Sequence, residues 1–314
     1  MSGLCRGVNL AGALDAERPA RPDLRDLDLV RCAGLDTVRL PVRWSPHLAT
    51  APPYRLEPSF LETVAGVCDA ALARGLTVVL DVHHHGELCA DPVRETPRFL
   101  ALWDQLGRRF ADAGPGLCLE LLNEPHDPMD AATWNGLLAQ ALAVVRATNP
   151  MRRVLVGPAR WNIVAALGEL RLPDDPDLVV TVHYYSPFRF THQGAAWIDG
   201  SEAWRGTPWG TAAERARVRA DLERAAAWAR ERGHPLFVGE FGTIATAAMA
   251  DRAAWTALVR AEAERVGAGW ALWDLATDFG AYDRVAGAWR APLRAALLGR
   301  AECDSPPTPA RRKR

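Results

Sequence analysis

Lysine is all but missing from this chain: Lys313, close to the last residue, is the only one, and the other basic residues are arginines. Chemistries that need a lysine amine in the core are thereby excluded, among them Schiff-base aldol cleavage, pyridoxal-phosphate catalysis and metal centres bridged by a carboxylated lysine. Charge imbalance is missing too, and a net charge of -1 offers no electrostatic footprint for nucleic acid. No stretch approaches the roughly 20 apolar residues of a membrane span. The apolar segment Gly7 to Leu14 contains Asn9, follows a single Arg6 and lacks a convincing cleavage site, so no signal peptide is expected. A cytoplasmic placement follows from the sequence as it stands, with secretion left open. Six cysteines (Cys5, Cys32, Cys68, Cys89, Cys118, Cys303) show no CxxC spacing, the pattern of buried free thiols in a reducing compartment.

What is present is alternation. The 314 residues are 49% hydrophobic, enough for one large core. Short apolar runs at Gly7 to Leu10, Thr37 to Leu40, Thr77 to Val82, Leu117 to Leu122, Val154 to Val156, Leu178 to Val182, Leu236 to Gly239 and Gly269 to Leu272 read as strands. Amphipathic stretches between and after them predict helices at Asp23 to Ala33, Pro58 to Arg74, Pro97 to Ala113, Ala131 to Thr148, Trp161 to Leu167, Thr211 to Arg232, Asp251 to Val266 and Ala291 to Leu298. Eight strand-then-helix units predict an α/β fold, a single (β/α)8 barrel over residues 1–300. A doubly wound sheet would need a Gly-rich phosphate turn after the first strand, and none is there. Residues 301–314, proline-rich and basic, read as a flexible tail. A monomer is expected.

Barrel chemistry gathers where strands end. Those ends carry Asn9, Arg39, His83 with His84, Asn123 with Glu124, His183 with Tyr185, Glu240, and Trp273. Each buried polar group left without a partner costs about 1 to 3 kcal/mol, so such a convergence implies a ligand or a mutual network. Glu124 closes the fourth strand and Glu240 the seventh, on facing sides of the barrel. Two carboxylates across a pocket supply what glycosidic hydrolysis needs, a proton donor for the leaving oxygen and an anion for the anomeric carbon. Arg39 is placed to hold a carboxylate in two-pronged fashion and to keep Glu240 ionised.

The histidines His83, His84, His85, His126, His183 and His192 raise a metal-hydrolase reading, and His83 and His85 share a strand face. A barrel metal centre adds a bridging carboxylate or lysine, and the lysine is missing. Imidazoles that bond sugar hydroxyls or orient carboxylates account for the same residues, so neither metal nor other cofactor is expected. Twelve tryptophans are present; Trp197, Trp204, Trp209 and Trp273 fall in predicted loops or at a strand end, where indole faces stack on pyranose rings. Trp103, Trp134, Trp228 and Trp255 fall at core positions of helices.

Taken together, "GVNL", "TVRLPVRW", "DVHHHGELCADP", "LLNEPH", "HYYSPFRFTHQGAAW", "VGEFG" and "WALWDLATDFGAYD" resemble glycoside hydrolase family 5, in order from Gly7 to about Leu298. The likeness is to bacterial endo-β-1,4-glucanases of that family, some of which also cleave mannan. It implies a retaining double displacement with Glu124 as acid/base and Glu240 as nucleophile, and carboxyl groups about 5 to 5.5 Å apart. It further implies Asn123 on the sugar 2-hydroxyl, Tyr185 and Arg39 on Glu240, His183 on Glu124 and Trp273 under the ring at the cleaved bond. His83, His84, His192 and Trp197 then line the groove, and Asn9 is grouped with the substrate-binding residues. The partner so implied is a β-linked oligo- or polysaccharide. Two departures bear on substrate choice: a short loop after Asn9, and His85-Gly86 where relatives often carry aromatic and acidic residues. A β-mannanase or glucomannanase, a hydrolase of small β-glucosides, a non-catalytic sugar-binding barrel and a metal-dependent hydrolase remain the alternatives.

Overall fold

Eight short segments too apolar on both faces to border water can be buried only between helices and one another. In the computed structural model, which describes residues 5–17 and 20–299, they close into a parallel barrel: β1 (Arg6–Asn9), β2 (Thr37–Val42), β3 (Thr77–Val82), β4 (Leu117–Glu120), β5 (Val154–Val156), β6 (Leu178–Tyr184), β7 (Leu236–Phe241) and β8 (Gly269–Leu272). β1 pairs with β2 on one side and β8 on the other, so the seam joins the two ends of the sequence. The tail expected over 301–314 lies outside the described residues. Among the described residues no helix is long and apolar enough to cross a membrane.

Strand alternation sorts the side chains. Val78, Leu80, Val82, Leu117 and Leu119 pack outward on the helices, whereas Val79, Cys118, Leu155, Val179, Phe237 and Ala271 form a separate apolar plug inside the barrel. Asp81 and Glu120, two residues beyond Val79 and Cys118 on the same face, are in register with each other and start a polar layer above the plug.

Five predicted helices are present with shifted bounds, α1 (Arg25–Cys32), α2 (Pro58–Ala73), α5 (Ala131–Arg146), α7 (Ala212–Glu231) and α8 (Met249–Arg265), and α9 (Ala291–Leu298) has the bounds expected. Three differences have physical causes. The helix expected from Pro97 begins five residues earlier as α4 (Pro92–Arg109), because Asp91 accepts from the Arg94 N–H and Pro92 fills the first turn, where a missing donor costs nothing. The stretch expected as a helix from Trp161 is a 3-10 segment, Val164–Glu169, preceded by three consecutive non-glycine residues in the left-handed region: Arg160, Trp161 and Asn162, with φ 63, 56 and 52°. Finally, two short helices, α3 (Gly86–Ala90) and α6 (Phe188–Thr191), break the loops after β3 and β6 and carry no periodic signature long enough to read.

Candidate active site

Midway along β2, three residues before its end, Arg39 has no exposed surface and meets three carboxylates. Nε and Nη2 donate to Glu120 at 2.7 and 3.0 Å, Nη2 lies 2.7 Å from Asp81, and Nη1 donates to Glu240 Oε1 at 2.6 Å. Burial works against the charge on Arg39, yet the three carboxylates outweigh it and hold the guanidinium firmly protonated. The two-pronged partner anticipated for this arginine is therefore Glu120, while Glu240 receives a single bond.

Asn9 also has no exposed surface. Its Nδ2 donates to the carbonyls of Gly239 at 3.0 Å and Leu272 at 3.1 Å, and its Oδ1 accepts from Arg39 Nη1 at 3.0 Å. Both side chains spend their hydrogen bonds on other groups of the barrel and expose no surface at its mouth. Gly239 is where the β6–β7 register slips: Val182 faces Val238, but His183 faces Glu240. A Cβ on Gly239 would sit 2.7 Å from Thr181 Oγ1, so only glycine fits, and the slip sets Glu240 beside His183.

Above this layer the two glutamates differ in partners. Glu240 accepts from Arg39 and, at 2.8 Å, from the Tyr185 hydroxyl. Glu124, a quarter exposed, is tied to His183 Nδ1 at 2.6 Å, and that nitrogen is 3.6 Å from Glu240. One oxygen of each glutamate and one nitrogen of His183 lie within 4.8 Å of one another. Burial raises both carboxyls to about 7. Glu240 alone carries bonds from Arg39 and Tyr185, which favour its anion. Burial lowers His183 to about 4 and keeps it neutral. Glu124, His183 and Glu240 have the donor set of a cation site, but the imidazole nitrogen is already bonded to Glu124 and Arg39 supplies the positive charge. Since His85 is buried against Phe99, with neither ring nitrogen bonded, it does not join His83 as a ligand pair.

Asn123 accepts from Arg39 Nη2 at 2.8 Å, which leaves its amide nitrogen available to a ligand. The strand pairing stops at Glu120, two residues before the apolar run does, although the Asn123 N–H still reaches Val82. Glu124, with φ 45°, turns the chain before Pro125 can. His83 is nearly buried, bonds Asp81 through Nδ1 at 2.8 Å and stacks parallel to Trp273 with centroids 5.5 Å apart. His84 is exposed beside it. On the other side, His192 makes T-shaped contacts with Tyr185 and with the exposed Trp197, and exposed Phe188 stacks on His192 at 4.1 Å. Trp209, expected in the groove, is buried under Arg215 and Phe190 instead.

Three residues escaped the reading of the sequence as parts of this site. Asp81 and Glu120 left a signal, a carboxylate inside an otherwise apolar strand. Trp161 left none that periodicity could find. It is 44% exposed, its N–H donates to Pro125, and its ring stacks on His126 at 5.3 Å and 11°. His126 bonds the Glu124 carbonyl at 2.6 Å, and a hydrogen bond to Cys89 is the main cause that raises it to about 9.

The family model for Cellulase (glycosyl hydrolase family 5) matches residues 7–278. The chain belongs to glycosyl hydrolase family 5. Among curated relatives of the family, Endoglucanase H of Acetivibrio thermocellus is 32% identical over 82% of this chain. The chain spans 28%, 53% and 31% of the length of the first three curated relatives it matches. Structures of Thermotoga maritima Cel5A, one with cellobiose and one with mannotriose, superpose with a TM-score of 0.92. They are 37% and 36% identical and cover 94% of this chain and 98% of theirs.

Proposed function

We propose that this chain is a retaining endo-β-1,4-glucanase whose catalytic domain occupies residues 1–300. The observation that carries the reading is the pair Glu124 and Glu240, with carboxylate oxygens within 4.8 Å and unlike partners. An inverting pair needs about 6.5 to 9.5 Å to admit a water between the carboxyls. Arg39 and Tyr185 favour the anion of Glu240, the nucleophile; the raised Glu124 keeps its proton near neutral pH, as an acid must.

A β-glucan chain lies across the barrel mouth with one ring on Trp273 and its 2-hydroxyl toward Asn123. Glu240 attacks the anomeric carbon while Glu124 gives its proton to the departing oxygen, forming a glycosyl ester and releasing the leaving chain. Glu124, now an anion, takes a proton from water, which attacks the same carbon and regenerates Glu240 with the anomeric configuration retained. His83, His84, His192 and Trp197 line the groove, and Trp161, on the Glu124 side, lies where the leaving sugars depart. Every residue named comes from one barrel, so a monomer suffices.

Gly86 has open space around its Cβ position, which favours a wide groove. The test is a panel of soluble polysaccharides: strong release from carboxymethylcellulose or mixed-linkage β-glucan, weaker from glucomannan or mannan, none from xylan, and no loss with EDTA. Hydrolysis of mannan without action on any β-glucan overturns the glucanase reading, and loss of activity in EDTA overturns the metal-free one.

A further inference from the structure

The displacement just described makes no use of two acids buried beneath it. Asp81 and Glu120 have no exposed surface, and both bond the guanidinium that bonds the nucleophile. A guanidinium is a flat, rigid fork, so two bonds along one edge fix its direction in the plane. Glu120 occupies the Nε and Nη2 edge. Nη1 is then aimed at β7, where Glu240 Oε1 lies 2.6 Å away. The charges do not balance: one cation faces three carboxylates in a space closed to water, and with all three ionised the cluster carries two net negative charges. The groups facing Glu240 are Arg39 from β2, His183 from β6, Tyr185 just after it and Glu124 beyond β4; Asp81, with His83 behind it, and Glu120 lie on the far side of Arg39.

We propose that Glu120 is a positioning residue with two separable effects: its clamp aims Arg39 at the nucleophile, and its negative charge works against ionisation of Glu240. The inference rests on Glu240 being the nucleophile. Two carboxylates sharing one guanidinium repel across roughly 6 Å, which at an effective dielectric near 20 is worth about 1 to 2 pH units of titration.

The two effects part in two variants. Glu120→Gln removes the charge and keeps an oxygen for the fork; Glu120→Asp keeps the charge and withdraws it by one methylene. The readout is the rate of covalent trapping by 2,4-dinitrophenyl 2-deoxy-2-fluoro-β-cellobioside against pH, with the labelled residue identified by mass spectrometry. That leaving group needs no proton, so the acid limb reports the nucleophile without Glu124. In Glu120→Gln the limb is expected about 1 to 2 pH units lower than in the wild type. In Glu120→Asp it is expected to stay in place while trapping slows at least about fivefold. A Glu120→Gln limb at the wild-type pH, or above it, overturns the charge effect, and Glu120→Asp trapped at the wild-type rate overturns the clamp. Should Glu120→Gln not fold, the Glu120→Asp arm decides the positioning role by itself. Wild-type label on a residue other than Glu240 overturns the nucleophile assignment and this inference with it; label on Glu240 with an unmoved limb overturns this inference only.

Discussion

The floor of the barrel and its rim are built from the same kinds of residue to opposite specifications. On the floor, Asn9, Arg39, Asp81 and Glu120 have no exposed surface, and Asn9 and Arg39 use nearly all their hydrogen-bonding capacity on one another and the strands. On the rim, Trp161, Phe188 and Trp197 are 44, 49 and 58% exposed and held by ring contacts. An over-determined floor fixes where charge sits and tolerates little change. A loosely held rim sets affinity and can vary one side chain at a time.

The sharpest way to break this comparison is at Glu240, the point where floor meets substrate. Glu240→Ala is expected to lose at least about 10^4-fold in kcat on β-glucan. Azide should restore part of it and yield an α-glycosyl azide, detectable by NMR; a β-azide would reassign the nucleophile. Glu124→Ala should cost about 10^2- to 10^4-fold on substrates with poor leaving groups and much less on 2,4-dinitrophenyl glycosides, because only the former need a proton. Equal losses on both would remove the acid/base role.

A floor residue that exposes no surface at the mouth should still behave as floor. Asn9→Ala strands the Gly239 and Leu272 carbonyls, so denaturant unfolding should show a loss of about 2 to 3 kcal/mol. Its kcat should fall more than its KM rises; a variant as stable as the wild type would make Asn9 a bystander.

Stability should also depend on pH through the glutamates. Folding lifts Glu124 and Glu240 from the ordinary carboxyl range to about 7, so the folded state binds more protons than the unfolded one over that interval. Stability is therefore fullest at or below the unfolded value and falls as pH rises toward about 7. Glu124→Gln removes one of these titrations and should gain about 1 to 2 kcal/mol on the wild type at pH 8, read from unfolding curves at pH 5 and 8. The same difference at both pH values would dismiss the linkage. The smallest effect belongs to the rim: Trp161→Ala should raise KM about two- to tenfold on long oligosaccharides with kcat little changed, the size of one stacking contact. A large fall in kcat would move Trp161 into the floor class.

The contrast also decides what the sequence discloses. Barrel strands announce themselves because runs such as Thr77 to Val82 are apolar in both directions, and the rows of polar residues at their ends mark the mouth. Glu120 was visible as an acid inside "CLELL", but its partner was not, since nothing local says that Arg39, on a different strand, lies opposite. The geometry of Trp161 depends on a left-handed turn of three ordinary residues, which propensity disfavours and which bonds to Pro125, His183 and Glu169, with the ring stack on His126, hold in place. Trp209 misled in the other direction: a loop position gave no hint that Arg215 would cover its face.

The amide of Asn9 joins the first strand to the seventh and eighth, and the Leu275 N–H returns a bond to the Asn9 carbonyl. Asn9 is translated before Leu272, so its amide cannot hold both carbonyls, and Glu240 cannot acquire its final surroundings, until β8 has been made. The floor beside Glu240 is therefore completed only after β8 has been made, and the seam between β1 and β8 is also the closing of that floor.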